Sequence, residues 1–462
     1  VTSEAPQAVI VGVRLPHDDE RAFEASLAEL ERLVTTLGYR PIARVTQART
    51  SLSPSAVLGE GKLGELAALT GGSGHVGTTP PRKRHKAAER WGAARNPAEA
   101  EVDGGDDGDD GDADDTHGDP AVGEPKVALV AVDHEISPSQ ARNLERATGV
   151  PVLDRAGVII EIFHRHAQSR EARLEVEIAR LAYSAPRLRE APSGKERRHL
   201  RGSGDSALEL DRRRIRDRIA ELRHELASIR REQGTRRAAR REARRVALVG
   251  YTNAGKSSLM RALTGSRVLV DDKLFATLDT TVRALSPETR PRILVSDTVG
   301  FIKKLPHDLV ASFQSTLDEA LEASLLLCVV DASDPSHEDQ LAVTRGVLAE
   351  IGADSVPLQV VMNKIDRLSA EERAELGARF PDAWLISTRD PSDVARVWEN
   401  VVRFFEASYG EAEFLVPYAR QALVSEFHDA GRVLEARYDE DGVRLKFRAD
   451  AETIDRFGKK LR

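Results

Sequence analysis

Hydrophobic positions along the chain keep two periods in turn. Ala8-Val9-Ile10-Val11-Gly12-Val13 is a continuous apolar run of strand length. Phe23, Leu27, Leu30, Leu33 and Leu37 then step at helical spacing, and Gly38 closes the helix. Pro41 to Thr46 predicts a second strand. Val127 to Val132 predicts another, followed by a helix over Ser139 to Thr148 that Ser137-Pro138 announces, and by a strand at Pro151-Val152-Leu153. Strands alternating with helices predict a small parallel-sheet α/β domain over residues 1–165. Residues 71–122 interrupt it. They run from glycine-rich, through Arg82-Lys83-Arg84-His85-Lys86, to an aspartate tract, with almost nothing apolar to bury, so this insert is predicted to be disordered. A calcium loop would need a terminal glutamate and a spacing that the aspartates lack.

Over 166–245 only the helical period remains. Leu174, Ile178, Leu181, Ala185 and Leu188 form one stripe, and Ile215, Ile219, Leu222, Leu226 and Ile229 a second. A loop with Gly194, Gly202 and Gly204 joins them, which predicts an antiparallel helical hairpin. Residues 246–408 return to alternating strands and helices, as in a doubly wound sheet. Residues 411–462 predict a small α+β module: a strand at Glu413 to Val416, a helix at Ala419 to His428, and a hairpin about Glu440-Asp441-Gly442. The fold class expected is multidomain α/β.

Composition changes this picture little. The 462 residues are 40% hydrophobic and 31% charged, exceed one core, and contain no membrane-length apolar run or signal-peptide pattern. The single cysteine, Cys328, sits in a buried-type strand and reads as an inert thiol, so a cytoplasmic setting is expected. The net charge of −7 hides segregation. Acid collects near residues 103–119, and arginine collects over 187–245. Arginine exceeds lysine throughout, which either salt adaptation or GC-rich coding would produce. Arg197, Arg198 and Arg201 crowd the hairpin loop. With few aromatics nearby, they suit RNA phosphates better than stacked bases; the plainer alternative is a solvated face.

The chemistry concentrates after Val246-Ala247-Leu248-Val249. Gly250-Tyr251-Thr252-Asn253-Ala254-Gly255-Lys256-Ser257 follows that strand and opens a helix at Ser258, the context a P-loop requires. Its backbone N–H groups would wrap the β-phosphate, Lys256 would neutralise the β- and γ-phosphates, and Ser257 would hold Mg²⁺. A strand then ends in Asp297-Thr298-Val299-Gly300. Asp297 would reach Mg²⁺ through water, and the Gly300 N–H would meet the γ-phosphate. Between these lies Leu274 to Arg283. Phe275, Ala276, Thr277 and Leu278 are expected near the nucleotide, and Thr281 is the expected Mg²⁺ cap, with Thr280 the alternative register. Asn363, Lys364 and Asp366 end another strand. The Asp366 carboxylate matches the N1–H and 2-amino donors of guanine, which adenine lacks. Ser387 and Thr388 would supply an N–H to guanine O6. Lys256, Thr281 and Gly300 are the candidate catalytic positions. Upstream, Gly59-Glu60-Gly61-Lys62-Leu63-Gly64 matches a dinucleotide fingerprint literally, but the chain beyond it lacks the unit that fingerprint needs; a tight turn into a helix is expected.

Gly250 to Leu263, Leu274 to Arg283, Asp297 to His307, Ile136 to Leu144, Asp154-Arg155 and Leu208 to Ile215 closely resemble the HflX family of translation-associated GTPases. The resemblance spans most of the chain outside residues 71–122 and is weakest in the first and last fifty residues. It implies a GTPase whose helical arm enters the large ribosomal subunit and contacts its rRNA, acting in ribosome splitting or rescue as a cytoplasmic monomer. Phe301 stands where many Ras-like GTPases carry a water-orienting glutamine, so hydrolysis is expected to be slow without the ribosome. Asn253 resembles the residue that helps hold K⁺ in potassium-activated GTPases; the alternative is a loop hydrogen bond only. Other readings are an RNA-modification or ribosome-assembly GTPase, an RNA-remodelling ATPase using the first domain, and a nucleotide-gated scaffold.

Overall fold

The structure, a computed structural model, describes residues 5–76, 127–188, 207–238, 244–266, 274–275, 281–303 and 319–461. The insert at 71–122 therefore lies outside the described residues beyond position 76, and so do Arg197, Arg198 and Arg201.

Among the described residues, three sheets carry the fold. The first is parallel, in the order β2-β1-β3-β4, from β1 (Gln7–Arg14), β2 (Arg40–Ala48), β3 (Val127–Val132) and β4 (Val152–Asp154). β1 is central and buried on both faces, which explains its unbroken apolar run. Its helices are α1 (Glu20–Thr36), α2 (Glu60–Thr70), α3 (Pro138–Thr148) and α4 (Arg155–His166). Ser137 caps α3 with a full capping box closed by Gln140, which is why Ser137-Pro138 marks the start. The glycine motif at 59–64 is the expected tight turn into a helix: Val57 has φ +66° and pairs with Ser53, and α2 starts at Glu60.

Next come α5 (Arg170–Ser184) and α6 (Ala207–Ala238). Leu174 and Ile178 pack on Leu222 and Leu226. Ion pairs Arg230–Glu171 and Arg218–Glu177 run in opposite chain directions, so the two helices are antiparallel. The first stripe is shorter than its sequence implied. α5 ends at Ser184, and Ala185 continues into a 3-10 turn with Leu188 beyond it.

The second sheet has the order β10-β9-β8-β5-β7-β6. Its strands are β5 (Arg244–Gly250), β6 (Thr281–Ala284), β7 (Ile293–Asp297), β8 (Leu325–Asp331), β9 (Leu358–Asn363) and β10 (Trp384–Leu385); only the β6–β7 pair is antiparallel. Alternate β5 residues feed separate cores, Val246 and Leu248 on one face, Ala247 and Val249 on the other. α7 (Lys256–Thr264), α8 (His337–Glu350), α9 (Ala370–Arg379) and α10 (Pro391–Glu406) accompany this sheet. Cys328 is fully buried in β8, and burial pushes its thiol up to about 12, so it stays protonated.

The last sheet is antiparallel: β11 (Gly410–Val416), β13 (Gly442–Ala449) and β12 (Arg432–Asp439), in that order. α11 (Ala422–Ala430) and α12 (Ala451–Leu461) close it through stacked Phe427 and Phe457. Arg244 ties this module to β5, pairing with Asp450 at 2.8 Å and lying over the Tyr409 ring.

Two of the units share a core. Leu27, Leu30, Ile159 and Phe163 of the N-terminal helices pack with Tyr251, Leu274, Phe275, Val299 and Ile302. Phe163 meets Phe275 edge-on at 4.6 Å between ring centres.

Candidate nucleotide site

β5 ends at Gly250, and α7 begins at Lys256. Between them the loop turns through Asn253 (φ +60°) and Gly255 (φ +98°). A Cβ on Gly255 would lie 2.2 Å from Asn363 Nδ2, so both backbone shape and space demand glycine there.

Lys256 is buried, and its ammonium donates to the Gly250 and Tyr251 carbonyls at 3.1 and 2.9 Å. Burial pulls its pKa from 10.5 down to about 8, opposed by Asp297. A bound phosphate would restore the charged form. Between about pH 8 and 10.5, nucleotide binding is therefore expected to take up a proton. Calorimetric titration at pH 9 in two buffers of different ionisation heat measures this; identical heats would remove the coupling.

Ser257 donates to Asp297 Oδ2 at 2.7 Å, and Asp297 is fully buried at the end of β7. A hydroxyl and a carboxylate side by side are hard oxygen donors. They suit Mg²⁺, which takes few protein ligands and leaves the rest to phosphate and water. The described residues contain no cluster of three or more His, Cys, Asp or Glu able to hold a metal. Thr281 opens β6 with its register opposite Asp297.

Asn363 is fully buried and braces three loops. Its Nδ2 donates to the Ala254 carbonyl at 2.8 Å, and its Oδ1 accepts from Thr388 N at 3.2 Å. Lys364, at φ +64°, donates to the Asn253 carbonyl and to Asp331, both at 2.7 Å. Asp366 accepts from the Ser387 hydroxyl at 2.7 Å, and Asp393 fixes the Ser387 N–H at 2.7 Å. The carboxylate keeps a third of its surface exposed, enough to be met by a ligand.

The segment after Gly300 folds back on the loop. Phe301 N donates to Gly250 O at 3.0 Å, and Thr252 N donates to Phe301 O at 2.8 Å. The Phe301 ring is buried among Ala320, Ala323 and Leu326, so it offers nothing polar to the loop. Lys303 N donates to Tyr251 Oη at 2.7 Å, and that hydroxyl donates to Glu29 of α1. Burial pushes the Tyr251 phenol up to about 12, so it carries its proton at neutral pH. Glu29 in turn pairs with Arg155, which also pairs with Asp133 at 2.7 Å.

The predicted positions thus converge from Gly250 to Ser257, at Asp297 and Gly300, and at Asn363, Lys364, Asp366, Ser387 and Thr388. Ser258 is half-buried on α7. Thr298 and Val299 face elsewhere: the Thr298 hydroxyl donates to Leu248 O at 2.7 Å, and Val299 packs into the N-terminal core. The Phe275 side chain also enters that core, which leaves its backbone for any nucleotide contact. Ala276, Thr277 and Leu278 lie outside the described residues. Sequence reasoning missed Asp331, Asp393 and Glu29. Asp331 had a signal, an acidic residue ending an apolar strand. Glu29 had none, because a glutamate on an amphipathic helix reads as surface.

Family models match three stretches: "50S ribosome-binding GTPase" over 245–364, "GTP-binding GTPase Middle Region" over 166–240, and "GTP-binding GTPase N-terminal" over 24–75 and 118–164. The GTPase HflX of Gluconacetobacter diazotrophicus is 58% identical over 457 residues, covering 99% of this chain and 98% of that protein. This chain belongs to the HflX family of GTPases. The Escherichia coli HflX is 32% identical, covering 94% of this chain and 91% of its own. Among solved structures, a GTP-binding protein from Sulfolobus solfataricus in complex with GDP aligns at 20% identity over 86% of this chain and 99% of its own, with a TM-score of 0.43. In this HflX-family chain the GTPase motifs follow the strands of a single sheet. No helix among the described residues is long and apolar enough to cross a membrane.

Proposed function

We propose that the protein is a Mg²⁺-dependent GTP hydrolase that binds the large ribosomal subunit and acts in ribosome splitting or rescue, as a cytoplasmic monomer. The observation that carries the ribosomal part is the arm. Two packed antiparallel helices present exposed Arg212, Arg213, Arg214 and Arg216, and the sequence joining the two helices carries Arg197, Arg198 and Arg201. A stiff, basic, aromatic-poor arm suits phosphate backbones. In this reading Ser257 and Thr281 ligate Mg²⁺, Asp297 reaches it through water, and K⁺ sits beside Asn253. The ion would offset charge on the phosphates. Lys256 and the Gly300 N–H hold the γ-phosphate, and Asp366, Ser387 and Thr388 read guanine. Phe301 stands in place of a water-orienting glutamine, so the ribosome raises the rate.

One experiment addresses these points together. Purified 50S subunits are pelleted with the protein and a non-hydrolysable GTP analogue over a salt series, and GTP turnover is followed in KCl and in NaCl at equal ionic strength. Binding is expected to fall steeply with salt. Replacing Arg197, Arg198 and Arg201 with alanine is expected to reduce co-sedimentation and leave GTP affinity intact. Undiminished pelleting would take the arm tip out of the interface. A turnover rate indifferent to the cation would remove K⁺. Hydrolysis lost in Thr277→Ala or Thr280→Ala but kept in Thr281→Ala would move the Mg²⁺ cap.

A further inference from the structure

Hydrolysis needs a group that can accept a hydrogen bond from the attacking water. Lysine and metal cations cannot accept one. Phe301 cannot either, since its ring is in the core. The hydroxyls around the loop are nearly all committed. Ser257 donates to Asp297, Thr298 to Leu248 O, and Tyr251 to Glu29. Thr252 differs. It is 7% exposed, and its Oγ1 is buried with no hydrogen-bond partner among the described residues. A buried hydroxyl left unpaired costs free energy, and such a group in a native fold calls for an explanation.

Its position supplies one. A Cβ built on Gly300 would lie 2.8 Å from Thr252 Cγ2 and 3.0 Å from Lys256 Nζ. The Thr252 methyl and the Lys256 ammonium thus both border Gly300, whose N–H is expected to meet the γ-phosphate, and the hydroxyl shares the carbon that carries that methyl. The Thr252 N–H is already bound to Phe301 O at 2.8 Å, which fixes the residue's backbone against the same segment.

We propose that the Thr252 hydroxyl is a catalytic group, positioning the attacking water in the GTP state. The assignment rests on the GTPase reading above. The hydroxyl accepts a hydrogen bond from the water and donates its own to a γ-phosphoryl oxygen. The water oxygen bonds to the γ-phosphorus as the bond to the β–γ bridging oxygen breaks. GDP leaves with the bridging oxygen, and the water's proton passes to the phosphate product. Thr252 ends the step as it began it.

The test is single-turnover hydrolysis, with and without 50S subunits, beside GTP and GDP affinities from a fluorescent-nucleotide titration. Thr252→Val keeps the branched shape and removes the hydroxyl; Thr252→Ser keeps the hydroxyl. Thr252→Val is expected to slow hydrolysis by about 100-fold with GDP affinity unchanged. Thr252→Ser is expected to restore most of the rate. Wild-type hydrolysis in Thr252→Val would overturn the assignment. Loss of GDP together with GTP in that variant would also overturn it, by giving the hydroxyl to the loop's own structure. A wild-type protein that hydrolyses no GTP even with 50S subunits would instead sink the GTPase reading itself.

Discussion

Replacing Arg155 with methionine is expected to lower the unfolding free energy of the N-terminal unit by about 3–5 kcal/mol. Arg155 is 3% exposed in its side chain and pairs with Glu29 and Asp133, at 6% and 1%. Burial pulls the guanidinium down to about 10, partly offset by Tyr251, which still leaves it a cation at pH 7. Ser26 completes the cluster, donating to Asp133 Oδ2 at 2.6 Å and accepting from Arg155 at 3.1 Å. Methionine fills similar volume, so the loss comes from two buried carboxylates left without their counter-ion rather than from a cavity. Chemical denaturation followed by hydrogen exchange on β1 and β3 measures it, since a multidomain chain will not unfold in one step. A triple variant, Arg155→Met with Glu29→Leu and Asp133→Leu, is expected to recover much of the stability. Unchanged protection in the single variant would mean the network contributes nothing.

The second large effect is at the base. Asp366→Asn is expected to weaken GTP binding by about 3 kcal/mol, roughly 100-fold, because an amide returns a donor to one of guanine's own donors. The fold should survive, since an asparagine oxygen can still accept from Ser387, as Asp366 does at 2.7 Å. Xanthosine triphosphate, with a carbonyl in place of the 2-amino group, is expected to bind the variant better than it binds wild type. Competition titration gives both numbers. A variant with undiminished GTP affinity would remove Asp366 from guanine recognition.

How much of this was readable in advance depends on where each interaction runs. The phosphate loop was legible because its chemistry is local: Gly255, Lys256 and Ser257 are neighbours, and a strand and a helix of the right period flank them. Asn363, Lys364 and Asp366 were legible for the same reason. What they do beyond the base was not. That Asn363 Nδ2 holds Ala254 O across 109 positions is a property of the sheet order, which spacing does not encode. Glu29 shows the limit most clearly. It lies one residue from Leu30 on a helix whose apolar stripe was read correctly, and it is 4% exposed. Only the approach of Tyr251, 222 positions later, makes a buried charge there sensible. Val57 shows a different limit: the turn before the helix was legible, but that a β-branched residue takes φ +66° within it, held by a backbone pair with Ser53, was not.

The arm has a mechanical consequence. α6 is 32 residues long, which at 1.5 Å per residue makes a rod of about 48 Å. Its far part is gripped by α5 through Arg230, whose partners Glu171 and Glu175 lie within a short chain distance of α4. A rod of that length works as a lever. Ala207 stands about 35 Å from Arg230, so tilting the rod by about 5° at the grip sweeps that end through about 3 Å, the length of a hydrogen bond. Whatever holds the tip to that tolerance therefore holds the N-terminal unit to within a few degrees. Through Glu29 and Tyr251, it also restricts the angle at which the phosphate loop stands.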